Sequence, residues 1–532
     1  MGGKSSSPWA PLGNPLFRAL WLAAVASNVG TWMHNVGAEW LMTTLAPTPF
    51  VVALMQTAET APTFLMALPA GALADIIDRR RLLLAAQLWM LVAAVALAAV
   101  TLLGLTTPPV LLLLTFALGL GAAMNAPAWQ AIVPELVARD DLPGAVSLNS
   151  VAYNIARAVG PALGGLLVAA AGPWAVFLLN SFSFLGVILV IYRWRREPAA
   201  SISPTERLAG AIRAGLRYAR HAPELRNVLV RTGVFALGAS ALWAMLPLLA
   251  RRELGLGAVG YGVLLGGLGA GAIAGAVVLP RVRRRLSVNL LVVAATTVFA
   301  GATAALAAVQ NYWLLCAAMA CGGLAWMGAM SSFNVGAQTV VPEWVRARAL
   351  ALYLLVFFGS LAAGAASWGA LAERVGIHAA LFAAAAALVV GLAATPFFPL
   401  RGDEDLDLSP ALHWSEPSFV VEPQPDRGPV LVTVEYQIDP ARAVEFADAM
   451  KDLRRIARRD GAARWGLFAD PAQPGRYLQT FLVESWAEHA RQHARLTKED
   501  LAAQRRAESF HVGDAPPAVT HLVAEDLSRP AG

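Results

Sequence analysis

The chain has 532 residues, of which 57% are hydrophobic and only 14% charged, against about 25% charged in an ordinary soluble domain; that much apolar surface excludes a water-soluble globule. Its two cysteines, Cys316 and Cys321, lie inside one apolar run, which leaves neither a disulfide framework nor a thiolate metal cluster. The net charge of +6 does not point to nucleic acid, because the arginines gather at the ends of apolar runs, where they orient membrane spans.

The opening MGGKSSSPWAPLGNP leads into an apolar run too long for a signal-peptide core and without a small-residue cleavage site, so the first helix is expected to be retained. A bilayer crossing needs about twenty apolar residues, because backbone polar groups in lipid must be satisfied within the segment. Spans are predicted to begin near Leu16, Val51, Leu82, Val110, Gly144 and Trp174, and again near Val228, Gly257, Val288, Trp313, Leu350 and His378. This predicts an all-α polytopic membrane protein with about twelve transmembrane helices in two six-helix bundles.

Between the two sets runs a basic stretch from Arg193 to Arg226, expected to be a cytoplasmic linker. Every second connection is basic as well: Arg79, Arg80 and Arg81; Arg281, Arg283, Arg284 and Arg285; Arg346 and Arg348. The alternate connections are short and nearly uncharged, apart from Arg251 and Arg252, so both termini are expected in the cytoplasm of a multi-pass cell-membrane protein. The halves echo one another: NAPAWQAIVPE from Asn125 matches FNVGAQTVVPE from Phe333, and Arg79 to Leu82 is repeated at Arg283 to Leu286. Such duplication is how many secondary transporters build two bundles that rock about a central site.

After Pro399 an acidic, Pro-rich stretch without apolar period gives way to a small α+β domain. Val430 to Ile438, Tyr477 to Glu484 and Val519 to Val523 read as strands, with helical spacing over Ala441 to Arg459 and Ala487 to Arg506. A ferredoxin-like βαββαβ domain fits this order. The expected organisation is a bundle over 1–193, a linker over 194–226, a second bundle over 227–399, a linker over 400–428 and the α+β domain over 429–526.

An ionisable side chain at mid-bilayer costs about 2.5–3.5 kcal/mol on insertion scales and should face a cavity or a partner. Glu39, Glu59 and Arg157 fall inside spans one, two and five. Arg157 is expected to pair with Glu59 or Glu39, protonation of the carboxylate breaking and restoring the pair during transport; the alternative is a static pair that fastens helices. His34 and Asn35, one turn before Glu39, are expected cavity groups, with Gln130, Asn154, Asn334 and Gln338 as further polar candidates that serve equally well as ties between helices. The Trp and Phe content reads as packing and interfacial belts rather than an aromatic cage.

The segment GALADIIDRRR, with Gly71, Leu73, Ala74, Asp75, Arg79 and Arg80 on the pattern, resembles the loop between helices two and three of the major facilitator superfamily. Ile76 and Asp78 depart from it. The resemblance implies a conformational latch made by the loop's Asp and Arg. ARAVGPALGG, through Gly160, Pro161, Gly164 and Gly165, resembles the fifth-helix motif of that superfamily's exporters. Small residues let helices approach closely and the proline bends the span. Gly119 to Ala123 resembles the end of a fourth-helix motif, but Thr115 stands where that motif carries a membrane arginine. Together with SWAEHARQHAR in the tail, the pattern is most similar to the enterobactin-exporter-like branch.

His489 and His493 are four apart on a predicted helix; without a third ligand at suitable spacing they are expected to be an exposed pair and not a metal site. The tail is also similar to the dimeric α/β-barrel fold of antibiotic-biosynthesis monooxygenases, which implies self-association or, as the alternative for the whole chain, an enzymatic domain that modifies the cargo. No P-loop, catalytic set or cofactor fingerprint occurs. The expected function is export of a small amphipathic metabolite or drug across the bilayer, with protons as the coupling ion.

Overall fold

A computed structural model describes residues 9–67, 69, 70, 73, 77–194, 208–401, 407–409, 411, 424 and 427–525. Proline at the first helical position, where its missing N–H is no loss, opens several of the long helices: α1 (Pro15–Leu45), α2 (Pro49–Met66), α4 (Pro108–Leu136) and α6 (Pro173–Arg193). The Asn14 side chain caps α1 by accepting from Leu16 N and Phe17 N, and Asp78 caps α3 (Arg79–Leu102) by accepting from Arg81 N. Gly172, at φ +91°, ends α5 (Leu142–Ala171) and turns the chain into α6. Only a residue without Cβ adopts that backbone readily.

The second half repeats the scheme with α8 (Pro223–Arg252), α9 (Ala258–Arg283), α10 (Val288–Ala308), α11 (Tyr312–Thr339), α12 (Glu343–Val375) and α13 (Ile377–Gly391). Gly376, at φ +89°, breaks α12 from α13 as Gly172 breaks α5 from α6. Among the described residues these make twelve long helices, six in each bundle of a membrane-transporter fold. Ten are apolar enough by composition alone to cross a membrane; α1 and α2 are not, because they carry Asn28, His34, Asn35, Glu39, Gln56 and Glu59. Helices with that much polarity must turn it inward. The stretch expected to be a linker holds an additional amphipathic helix, α7 (Leu208–His221), and α8 begins within it.

Among the described residues the chain divides into two compact units, bounded by Met1–Pro204, Leu229–Asn334 and Ala351–Pro399 for the first and by Thr205–Val228, Val335–Leu350 and Leu400–Gly532 for the second. The second unit contains β1 (Val430–Gln437), α14 (Ala443–Asp460), β2 (Arg464–Ala469), β3 (Arg476–Val483), α15 (Trp486–Arg495), α16 (Lys498–Glu508) and β4 (Ala518–Val523). The sheet is antiparallel throughout in the order β2-β3-β1-β4, which is the ferredoxin-like arrangement. Alternate residues Val430, Val432 and Tyr436 of β1 are buried, the two valines against Trp486 and Tyr436 against Phe446, Met450 and Phe510. The second expected helix is broken in two, because Thr497 and Asp500 form a capping box that starts α16.

Within this unit three arginines hold the α+β domain to α7 and to the first turn of α12. Arg217 donates to Glu488 at 3.2 Å, Arg459 lies over the Tyr218 ring at 5.5 Å and Arg495 over the Trp344 ring at 4.5 Å. Arg459 is itself clamped by Asp460 and Asp500 at 2.7–3.0 Å, a network almost wholly buried.

Candidate functional site

The glycines of the fifth helix set the spacing of the transport core. A Cβ at Gly160 would stand 2.5 Å from Trp32 and one at Gly164 2.8 Å from the Met33 backbone, so both glycines press on α1. On the other side, a Cβ at Gly165 would meet Ala258 O at 2.5 Å, and Gly262 and Gly269 of α9 would meet Pro161 O and Arg157 O at 2.4 and 2.6 Å. The segment therefore brings one helix of each bundle into backbone contact, with α1 behind. A second inter-bundle seam runs along α2 and α12, where Thr57 Oγ1 donates to Ala362 O at 3.0 Å and Gly369 lies against Phe50 and Ala53.

Beside the first seam, Tyr261 of α9 donates its hydroxyl to Glu39 of α1, both side chains buried. Trp40 stacks on Tyr261 with ring centroids 5.9 Å apart, and the Arg251 guanidinium covers Trp40 at 5.4 Å. Glu59 of α2 is within electrostatic reach of Glu39 and Tyr261, and its Oε1 is buried without a hydrogen bond.

The expected ion pair between Arg157 and a carboxylate is not formed here. Glu39 is taken by Tyr261, and the Arg157 guanidinium lies against two indoles, 5.9 Å from Trp32 of α1 and 5.9 Å from Trp326 of α11. A guanidinium over an aromatic face gains about 0.5–2 kcal/mol per ring, enough to hold the group but short of neutralising it. Trp326 in turn belongs to an aromatic cluster with Trp243 at 4.3 Å and Phe299, Phe235 and Phe357 at 5.9 Å. Part of the aromatic content is thus packed into one cluster in the second bundle.

At the opposite ends of the helices, Arg79 donates to Glu135 at 2.8 Å and to Ala131 O at 3.1 Å, joining α3 to α4. Arg80 caps α6 by donating to Ile191 O and Tyr192 O at 3.1 and 2.6 Å. Gly71, Ala74, Asp75 and Ile76 of the same motif lie outside the described residues.

With this geometry in view, the family described as transmembrane secretion effector matches residues 6–529, nearly the whole chain. The chain belongs to the transmembrane secretion effector family. The chain is similar to the multidrug efflux pump Tap of Mycolicibacterium fortuitum, 27% identical over 401 residues that cover 73% of this chain and 97% of the relative. It is similar to the enterobactin exporter EntS of Salmonella typhimurium, 26% identical over 366 residues, covering 67% of this chain and 86% of the relative. Among solved structures, the nucleoside transporter NupG superposes with a TM-score of 0.58 at 14% identity, covering 72% of this chain and 100% of that one. An inward-facing bacterial homologue of the iron transporter ferroportin gives 0.57 at 16% identity, with 73% and 99% covered. The fold is that of the major facilitator superfamily, and this secretion effector is a multi-pass membrane transporter.

The remaining polar residues of this secretion effector scatter. His34 is buried against Phe177 with neither ring nitrogen bonded, while Asn35 is half-buried. Asn154 donates back to Ser150 O of its own helix at 2.8 Å, Asn334 hydrogen-bonds Tyr353, Gln130 is exposed and Gln338 belongs to the second unit. Three functional candidates escape sequence reasoning and a fourth does not. Tyr261, Trp32 and Trp326 carry no local signal, since each is an ordinary aromatic in an apolar span. Arg231 of α8 is different: a charge four residues into a predicted span is visible, and its two terminal nitrogens prove buried and unbonded.

In the tail, the expected exposed histidine pair is corrected. His489 is 1% exposed and packs against Trp486 and His521, with ring centroids 5.4 and 4.8 Å away. Burial, with His521 nearby, pushes its imidazole down to about 4 from 6.5. The His493 side chain lies outside the described residues. Among the described residues no three metal-ligating side chains converge.

Proposed function

We propose that this secretion effector is a secondary active exporter that carries a small amphipathic metabolite or drug out of the cytoplasm by alternating access, in exchange for protons. The observation that supports this best is the bond from Tyr261 of one bundle to Glu39 of the other, beside Glu59. A bond that crosses the bundles and ends on a carboxylate ties their separation to the state of that carboxylate. Two carboxylates in reach of one another repel when both are ionised. A proton taken up by either relieves the repulsion and its release restores it, so the two arrangements of the bundles differ in proton content.

Export rather than uptake is favoured by the Gly160 to Gly165 segment at the bundle seam and by the efflux pump and the exporter among the relatives. The arginine-rich connections favour a cytoplasmic position for both termini in the cell membrane. The five-part division of the chain read from composition remains our view of its organisation. For the α+β domain we favour self-association: the sheet face opposite its helices carries Leu431, Leu482, Leu478 and Leu522, the last two 36% and 52% exposed.

The test is proton movement in everted vesicles supplied with a panel of amphipathic fluorescent dyes of either charge. Glu39→Gln and Glu59→Gln are each expected to abolish dye-linked proton release. Unchanged coupling in both variants would overturn the assignment.

A further inference from the structure

Arg157 is a membrane charge that the proton mechanism leaves unused. Its guanidinium carbon is 5.9 Å from the ring centroid of Trp32 and 5.9 Å from that of Trp326, one indole from each bundle. Its Nε is buried with no acceptor, whereas the terminal nitrogens are not sealed off, and no described residue accepts a hydrogen bond or forms an ion pair with any of the three. A cation fixed in place, flanked by aromatic faces and lacking an internal counter-charge is built to receive one from outside. From this we infer that Arg157 anchors an anionic group of the cargo, and that the transported class is a flat organic anion, an aromatic or conjugated ring bearing a carboxylate or a comparable oxyanion.

Three features carry this. The planar fork of a guanidinium matches the two oxygens of a carboxylate, giving a bidentate bond that an ammonium cannot reproduce. The aromatic surface extends past the cation on both sides, through Tyr153 at 6.4 Å from Trp32 and through Trp243 at 4.3 Å from Trp326, so a ring attached to the anion has apolar walls to lie on. The acids are placed elsewhere: Trp32 and Glu39 are seven residues apart on α1, about two turns and roughly 10 Å along the axis. Cargo anion and proton therefore occupy separate atoms and need not compete for one site.

This inference rests on the exporter reading for its meaning but is tested apart from it, by equilibrium binding without a gradient. The full chain in lipid nanodiscs is titrated with 1-naphthoate and with its neutral isostere 1-naphthamide, following tryptophan fluorescence. The unmodified protein is expected to bind naphthoate about tenfold more tightly or better. Arg157→Gln should erase the preference and leave naphthamide binding in place, which also reports that the variant folds. Arg157→Lys keeps the charge without the fork and should fall between. Trp326→Leu should weaken both probes. Equal binding of the two probes by the unmodified protein, or a preference that survives Arg157→Gln, overturns the inference. Loss of proton coupling in Arg157→Gln with the preference intact does so too, and assigns the residue to the proton path. Failure of Glu39 and Glu59 variants to alter coupling leaves the binding result untouched, so the two readings fail separately.

Discussion

Replacing Gly262 by alanine adds one methyl group where two bundles meet backbone to backbone. The new Cβ would stand 2.4 Å from Pro161 O and 3.2 Å from Gly165 Cα, whereas ordinary contact begins near 3.4 Å. Both neighbours are main chain, so no rotamer change relieves the overlap, and α5 and α9 must part locally by about 1 Å. Overpacking of this kind costs about 1–3 kcal/mol, and here the cost falls only on the arrangement in which the seam is closed. The equilibrium between bundle arrangements should move about 5- to 150-fold toward the separated one. Spin labels on Ala171→Cys and Gly257→Cys, in a background with Cys316 and Cys321 replaced, would report the change as a longer-distance population. The seam supplies its own control: at Gly266 the nearest atom, Ala158 O, is 3.2 Å from the added Cβ, so Gly266→Ala should shift the distances far less than Gly262→Ala or Gly165→Ala. Equal effects at 262 and 266, or an unchanged distance distribution in Gly262→Ala, would refute the reasoning that backbone contact at this seam sets the conformation.

Two predictions concern the tail. His489 is held near 4 in the folded state against an ordinary 6.5, so protons favour the unfolded domain. Its contribution is whole above about 6.5 and is lost as pH falls toward 4, to a limit of about 3 kcal/mol. Protection factors of β3, α15 and β4 in the full chain, with the intrinsic pH dependence of amide exchange divided out, should fall between pH 7 and pH 5, and protection that ignores pH would contradict the buried neutral imidazole. Arg459→Met leaves Asp460 and Asp500 buried without their cation. Breaking a buried pair from one side costs about 3–5 kcal/mol, so the tail should melt well before the transmembrane helices, and a midpoint within a degree or two of the parent would exclude the network as a fastening.

Much of the fold is legible because lipid leaves few options. Each span must satisfy its own backbone, so length and apolarity announce α3 to α6 and α8 to α13, and arginine runs mark one set of ends. The Gly160 to Gly165 segment is equally legible, since close approach needs small residues at helical spacing whatever the partner. The strand β2 is not: RWGLFA is six residues with a glycine inside and no fully buried side chain, and it becomes a strand only by pairing with β3. The helix α7 hides in the same way, its arginines reading as linker until Tyr218 meets Arg459 and Trp344.

At the site, composition and spacing alone determined that Glu39, Glu59 and Arg157 must be turned away from lipid, because the cost of a charge in hydrocarbon depends on the residue and not on its neighbours. Which groups they meet was decided only by the tertiary structure. Tyr261 lies 222 positions from Glu39 and Trp326 lies 169 from Arg157, separations over which no local period carries information. The natural pairing of one cation with one anion gave way to a tyrosine on the acid and two indoles on the base, because packing of the two bundles at α5 and α9 brings those side chains, and not opposite charges, within reach.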